Sequence, residues 1–152
     1  MTVATEKEQL LILLKSFSNS QSTRVALYKE FDDAFTDYKA KRLPIDQYQS
    51  ICGIVTDGFQ EVSQQIQTIE RQLRDTYSRE DLAQLIRRVQ EGEREKLKLT
   101  VNIQIWEIES EAGDKDFTEA IAEARPKLAG ILESINDVLE EVREATSELS
   151  YD

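Results

Sequence analysis

Two apolar stripes of helical period constrain this chain more than any other feature. Ile45, Tyr48, Cys52, Val55, Phe59, Val62, Ile66, Ile69 and Leu73 step by three and four residues without a gap. Phe117, Ile121, Ala124, Leu128, Ile131, Ile135, Val138, Val142, Ala145 and Leu149 do the same nearer the C-terminus. A seam of that period faces a neighbouring helix along its length, so the chain is built to pack long helices side by side. Five glycines and two prolines in 152 residues leave few turn signals for a sheet. The expected class is all-α: one domain over residues 1–152, an elongated antiparallel helical bundle or coiled coil of three to four long helices.

The spacing places helices at about 5–41, 45–77, 79–109 and 117–149. The first has the seam Leu10, Leu14, Phe17, Gln21, Arg24, Tyr28, Phe31, Phe35 and Tyr38, with two polar residues in its middle. Its stretch from Ser16 to Thr23 is poor in helix formers, because short hydroxyl and amide side chains compete for backbone hydrogen bonds, and is where a kink or frayed turn would fall if the helix has one. Pro44 suits the first turn of the second helix. Gly53 and Gly58 inside that helix each cost about 1 kcal/mol against alanine, and close approach of another helix is one reason to keep them.

Ser78 followed by Asp81 reads as an N-cap serine with an acid three residues on. The third helix then carries Leu82, Leu85, Val89, Leu99, Ile103 and Trp106, weakened by Gly92 and Lys96 on its seam, with Leu97, Val101, Ile105 and Ile108 as a second stripe. A helix apolar on two faces sits between neighbours. Pro126 either kinks the fourth helix or marks its effective start. Short connections make an up-down-up-down bundle, or a three-helix core whose fourth helix is partly free to pair elsewhere.

Familiar catalytic constellations are excluded by count. The chain has no histidine and one cysteine, so it builds neither a tetrahedral zinc site nor a Ser-His or Cys-His pair. The scattered glycines form no phosphate loop. Two acidic runs, Glu140 with Glu141 and Glu144, and Glu91 with Glu93 and Glu95, fall between seam positions and are expected to point to water. Cys52 lies on a seam and reads as a small buried apolar residue. No catalytic residue, cofactor or metal is expected, and the protein is read as a non-enzyme. The apolar cluster Leu10 to Leu14 is too short to span a membrane. A soluble intracellular protein, nuclear or cytoplasmic or both, is expected.

Charge is unevenly placed. The net value is −11, of which residues 107–152, with 14 acidic and 4 basic side chains, hold −10. Such a surface repels a phosphate backbone, which disfavours direct nucleic-acid binding. Arg71, Arg74, Arg79, Arg87, Arg88 and Arg94 bracket the turn between the second and third helices, interleaved with acids. Salt-bridge lacing accounts for most of that pattern. These arginines, with Trp106, which is either a core filler or an interface anchor, are the candidate partner-binding residues. Arg24 is read as an arginine whose stem packs while its head reaches an acid at the rim.

The run Gln21-Ser22-Thr23-Arg24, followed by Tyr28 and Tyr38, then Tyr48-Gln49-Ser50, Val55-Thr56 and Phe59, resembles the small helical proteins named Required for excision 1-B. Ser63, Ile69-Glu70, Leu73, Leu82-Ala83, Gln90 with Glu93, and Ile135, Val138-Leu139 and Arg143 fall at similar spacing, so the likeness covers about Leu14 to Arg143. The resemblance implies a role in DNA excision repair with repair factors as protein partners, and offers no catalytic residue to carry over. Combined with the seams, it gives a non-catalytic helical adaptor, or scaffold, acting through protein–protein contacts in the response to DNA damage. The alternative is a structural coiled-coil subunit of a larger assembly.

Overall fold

A computed structural model describes residues 4–113 and 115–151. The chain is all-α, with α1 Glu6–Lys39, α2 Ile45–Arg71, α3 Glu80–Ala112 and α4 Thr118–Tyr151. The helices hold 27 to 34 residues, so they reach about 40–50 Å at 1.5 Å per residue. Helix α1 packs on α2, α2 on α3, α3 on α4, and α4 more sparsely on α1. Both sequence seams turn inward, apart from Ile45 at the start of α2, which is exposed.

Local chemistry sets the helix ends. The Thr5 hydroxyl accepts the Glu8 N–H at 3.1 Å, capping α1. Pro44 precedes α2 with its φ at −63°, and Gly113, at φ 81°, closes α3 in the left-handed conformation that glycine adopts without strain. Before α4, Asp116 accepts the Thr118 N–H at 3.0 Å and its hydroxyl at 2.6 Å. Those two bonds hold the Asp116 carboxyl below its ordinary range.

One local expectation, the Ser78 cap, is corrected, and two open points are resolved. Helix α1 runs unbroken through Ser16–Thr23, because Ser20 donates to Gln65 of α2 at 3.1 Å and Gln21 is buried and bonded across the bundle. Ser78 is not an N-cap: it sits at φ 53°, and α3 starts after Arg79 with no side-chain cap bond. The reversal is made by a π-turn at Gln72–Thr76, where the Tyr77 N–H donates to the Gln72 carbonyl at 3.2 Å and the Arg79 N–H to that of Leu73 at 2.8 Å. Pro126 does not begin α4, which is continuous from Thr118.

The core has two parts. Leu10, Leu14 and Phe17 of α1 meet Val62, Ile66 and Ile69 of α2, Ile86 and Val89 of α3, and Val138 and Val142 of α4. Beyond it, Tyr28 and Phe31 meet Val55 and Phe59, with Cys52, Leu97 and Val101 against them, and α4 contributes nothing to this second cluster. Cys52 is half-buried there rather than fully enclosed. Tyr48 stacks on Tyr38 at 4.8 Å and donates its hydroxyl to Gln104 at 3.1 Å.

The glycines differ in what they permit. A Cβ on Gly92 would lie 2.7 Å from Ile135 Cγ1, so this seam glycine, read from sequence as a weakness, is what lets α4 seat on α3. A Cβ on Gly58 would lie 2.8 Å from Leu27, while one on Gly53 meets nothing within 4 Å. Gly92→Val is therefore expected to destabilise by about 1–3 kcal/mol through overpacking, whereas Gly53→Ala should stabilise by about 0.5–1 kcal/mol. Thermal unfolding of the two variants checks the opposite signs.

Candidate partner-binding site

The arginines nominated from sequence divide into two groups. Arg71, Arg74, Arg87 and Arg94 converge on one groove of about 250 Å³ between α2 and α3. Buried Glu70 organises it: its Oε2 accepts from Arg74 at 2.6 Å and lies 3.6 Å from Arg87. Arg74 also reaches Glu80 at 3.2 Å, and Arg87 reaches Glu91 at 3.3 Å. Arg71 and Arg94 are exposed and, among the described residues, have no carboxylate within 4 Å. Arg79 and Arg88 lie outside the groove. Arg79 pairs with Asp81 at 2.9 Å, lowering the Asp81 pKa through its hydrogen bonds, and Arg88 pairs with Glu141 of α4 at 3.3 Å. Trp106 is half-buried, stacked on Phe117 with ring centres 6.1 Å apart, where α3 turns into α4.

A polar centre crosses the bundle between its two apolar clusters. Gln21 donates to Glu93 Oε1 at 2.9 Å, and Arg24 donates to Gln21 at 2.9 Å and to Gln90 at 2.5 Å. Gln90 donates onward to the Ser63 carbonyl at 3.1 Å. Glu93 Oε2 is shielded from solvent and, among the described residues, without a hydrogen bond, 3.9 Å from Arg24 Nε. Burial pulls the Arg24 guanidinium below its ordinary pKa, opposed by the Glu93 carboxylate and by Tyr28. Burial likewise pushes the Tyr28 phenol up, with Glu93 adding to the effect. Lys96 Nζ sits 3.8 Å from the centre of the Tyr28 ring, a cation–π contact.

Two expectations fail here. The Arg24 head does not reach a rim acid; it is 5% exposed and ends inside the bundle. Glu93, assigned from sequence to a water-facing acidic run, is 6% exposed, while its neighbours Glu91 and Glu95 do face solvent. The signal lay in the second stripe of α3. Stepped back from Leu97 by four and three, that stripe passes through Glu93 and Gln90 to Ile86. Gln21, Arg24, Ser63, Gln90 and Glu93, five of the residues that carry the family likeness, meet at this one point.

Two further depressions line α4. One, of about 800 Å³, runs between α3 and α4 past Gly92, Gly130 and Ile135. The other, of about 650 Å³, lies between α1 and α4 and is walled by Leu11, Leu14, Phe17, Val25, Leu139 and Val142. Among the described residues, no cluster of three or more His, Cys, Asp or Glu side chains is placed to hold a metal ion, and no helix is long and apolar enough to cross a membrane.

Long helices in antiparallel succession, a buried Arg24–Glu93 pair and an arginine-lined furrow between α2 and α3 define an all-α bundle protein. The chain belongs to the family described as DNA repair REX1-B, whose match runs over residues 12–107, from the second turn of α1 through most of α3. It is also similar to the heterochromatin silencing protein rss1 of Schizosaccharomyces pombe, 31% identical over 125 residues covering 82% of this chain and 91% of that protein.

Proposed function

We propose that this protein is a non-catalytic helical adaptor serving DNA excision repair and the chromatin in which repair takes place, acting through protein–protein contacts. Family membership supports the repair setting, and the likeness to a heterochromatin silencing protein supports the chromatin setting and a nuclear location. The observation that carries the adaptor reading is the α2/α3 groove. On a chain of net charge −11, four guanidiniums line one concavity and two of them have no carboxylate within 4 Å among the described residues. Surface arginines left without a carboxylate are well suited to an acidic surface on another protein, since the planar guanidinium pairs bidentately with carboxylate. The acidity of the rest of the molecule works against a nucleic-acid backbone as the ligand.

Affinity capture of the full chain from damaged cells should recover repair or chromatin factors, and cells lacking the protein should remove lesions more slowly. Normal lesion removal together with no recovered repair or chromatin factor would dispose of the reading.

A further inference from the structure

We infer that the arginine groove between α2 and α3 receives the phosphate of a phosphorylated segment of a partner protein, and that the adjoining cavity takes a bulky apolar side chain of the same segment. This deepens the adaptor reading and rests on it. The argument begins with charge. Within the groove, Glu70, Glu80 and Glu91 engage Arg74 and Arg87, while Arg71 and Arg94 have no carboxylate within 4 Å among the described residues, leaving two guanidiniums unneutralised. A carboxylate side chain supplies one negative charge, whereas a phosphate monoester carries about −1.5 to −2 at neutral pH.

Geometry adds to charge. Glu70, 8% exposed, fixes Arg74 and Arg87 from below, so their guanidiniums are oriented before any ligand arrives. Arg71 stands on α2 and Arg94 on α3, on opposite walls and free of internal ion pairs among the described residues. Several guanidinium forks around a small concavity suit one tetrahedral dianion. A nucleic-acid backbone instead needs a long basic footprint, and this chain is strongly acidic outside the groove.

The neighbouring cavity supplies a second determinant. It holds about 240 Å³, is walled by Tyr28, Phe59 and Leu97 together with Arg24 and Glu93 of the polar centre, and meets the groove at Gln90 and Arg94, which line both. Arg94 and Leu97 are one helical turn apart, about 4.5 Å along the axis. An extended peptide advances about 3.3 Å per residue, so the residue one or two positions from the phosphorylated one falls at the cavity.

The test is fluorescence anisotropy of the full chain with a fluorescein-labelled degenerate phosphoserine peptide library, its unphosphorylated counterpart, inorganic phosphate and a 5′-phosphorylated single-stranded oligonucleotide. The expected result is selection of phosphopeptides that bind at least 10-fold tighter than their serine forms, with a large apolar residue one or two positions from the phosphoserine. Arg71→Ala and Arg94→Ala, at exposed positions without ion pairs, should each weaken binding about 10-fold with circular dichroism unchanged. Arg88→Ala, outside the groove, should bind as the parent does.

Equal affinity for both peptide forms, tighter binding of the oligonucleotide, inorganic phosphate bound as well as any peptide, or indifference to Arg71→Ala and Arg94→Ala would overturn the assignment. Phosphatase treatment of a cell extract separates the two readings. Repair or chromatin factors captured equally before and after treatment would leave the adaptor standing and remove the phosphate.

Discussion

An Arg24→Ala chain is expected to lose about 3–5 kcal/mol of stability in urea denaturation, because it leaves the Glu93 carboxylate buried without its counter-charge. Arg24 and Glu93 are 5% and 6% exposed, and among the described residues Glu93 Oε2 already lacks a hydrogen bond, so the remaining carboxylate would stay poorly solvated. Gln21 and Gln90 would each lose their bond to the guanidinium as well. The companion variant is a double replacement, Arg24→Met with Glu93→Leu. Exchanging a whole buried pair for apolar side chains of similar volume is often neutral or stabilising by about 1–4 kcal/mol. The single change should therefore be far worse than the double one. An Arg24→Ala chain within 1 kcal/mol of the parent would show that the centre of the bundle is wetter than its packing implies.

Phe17→Ala should cost a similar amount, about 3–5 kcal/mol, by emptying a ring-sized volume from a close-packed interior. Phe17 is 2% exposed and belongs to the cluster in which all four helices meet. Its ring also forms part of the wall of the α1/α4 depression, so its removal takes from α1 a contact surface facing Val142. Native domains are stable by only about 5–15 kcal/mol, so the variant would sit near its unfolding threshold at 37 °C. Calorimetry reads the loss directly. A melting temperature unchanged within error would mean that α4 collapses into the vacated space at no cost.

Most of the architecture was legible in the sequence because seam residues repeat with the period of a helix. The α4 seam is buried or half-buried from Phe117 to Leu149, as its spacing implied. Polar residues on a seam were harder to read. Gln21 and Arg24 interrupt the α1 stripe, and their partner Glu93 looked like a surface residue because Glu91 and Glu95 flank it in a charged run. Ile105 was assigned to the second stripe of α3, yet Gln104 is the buried residue, because Tyr48 offers it a hydrogen bond while Ile105 is 45% exposed. The same limit applied to the turn after α2. Ser78 has the composition of a cap, but the π-turn had already satisfied the local backbone and placed Ser78 at positive φ.

The candidate arginines were legible as residue types in one region. Their division was not, since it depends on Glu70, a glutamate that sits beside Ile69 and was not read as buried. One acid facing inward at the end of α2 separates Arg74 and Arg87 from Arg79 and Arg88, which find partners elsewhere.

Helix α4 helps fill one apolar cluster and is missing from the other, and that asymmetry bears on how the molecule breathes. Amide hydrogens in the N-terminal half of α4 rest on α3 alone, so they should exchange with deuterated solvent by fraying of that half, well below the free energy of whole-molecule opening. The C-terminal half, held by both α1 and α3 around Val138 and Val142, should exchange last, which makes α4 a lever hinged at its far end.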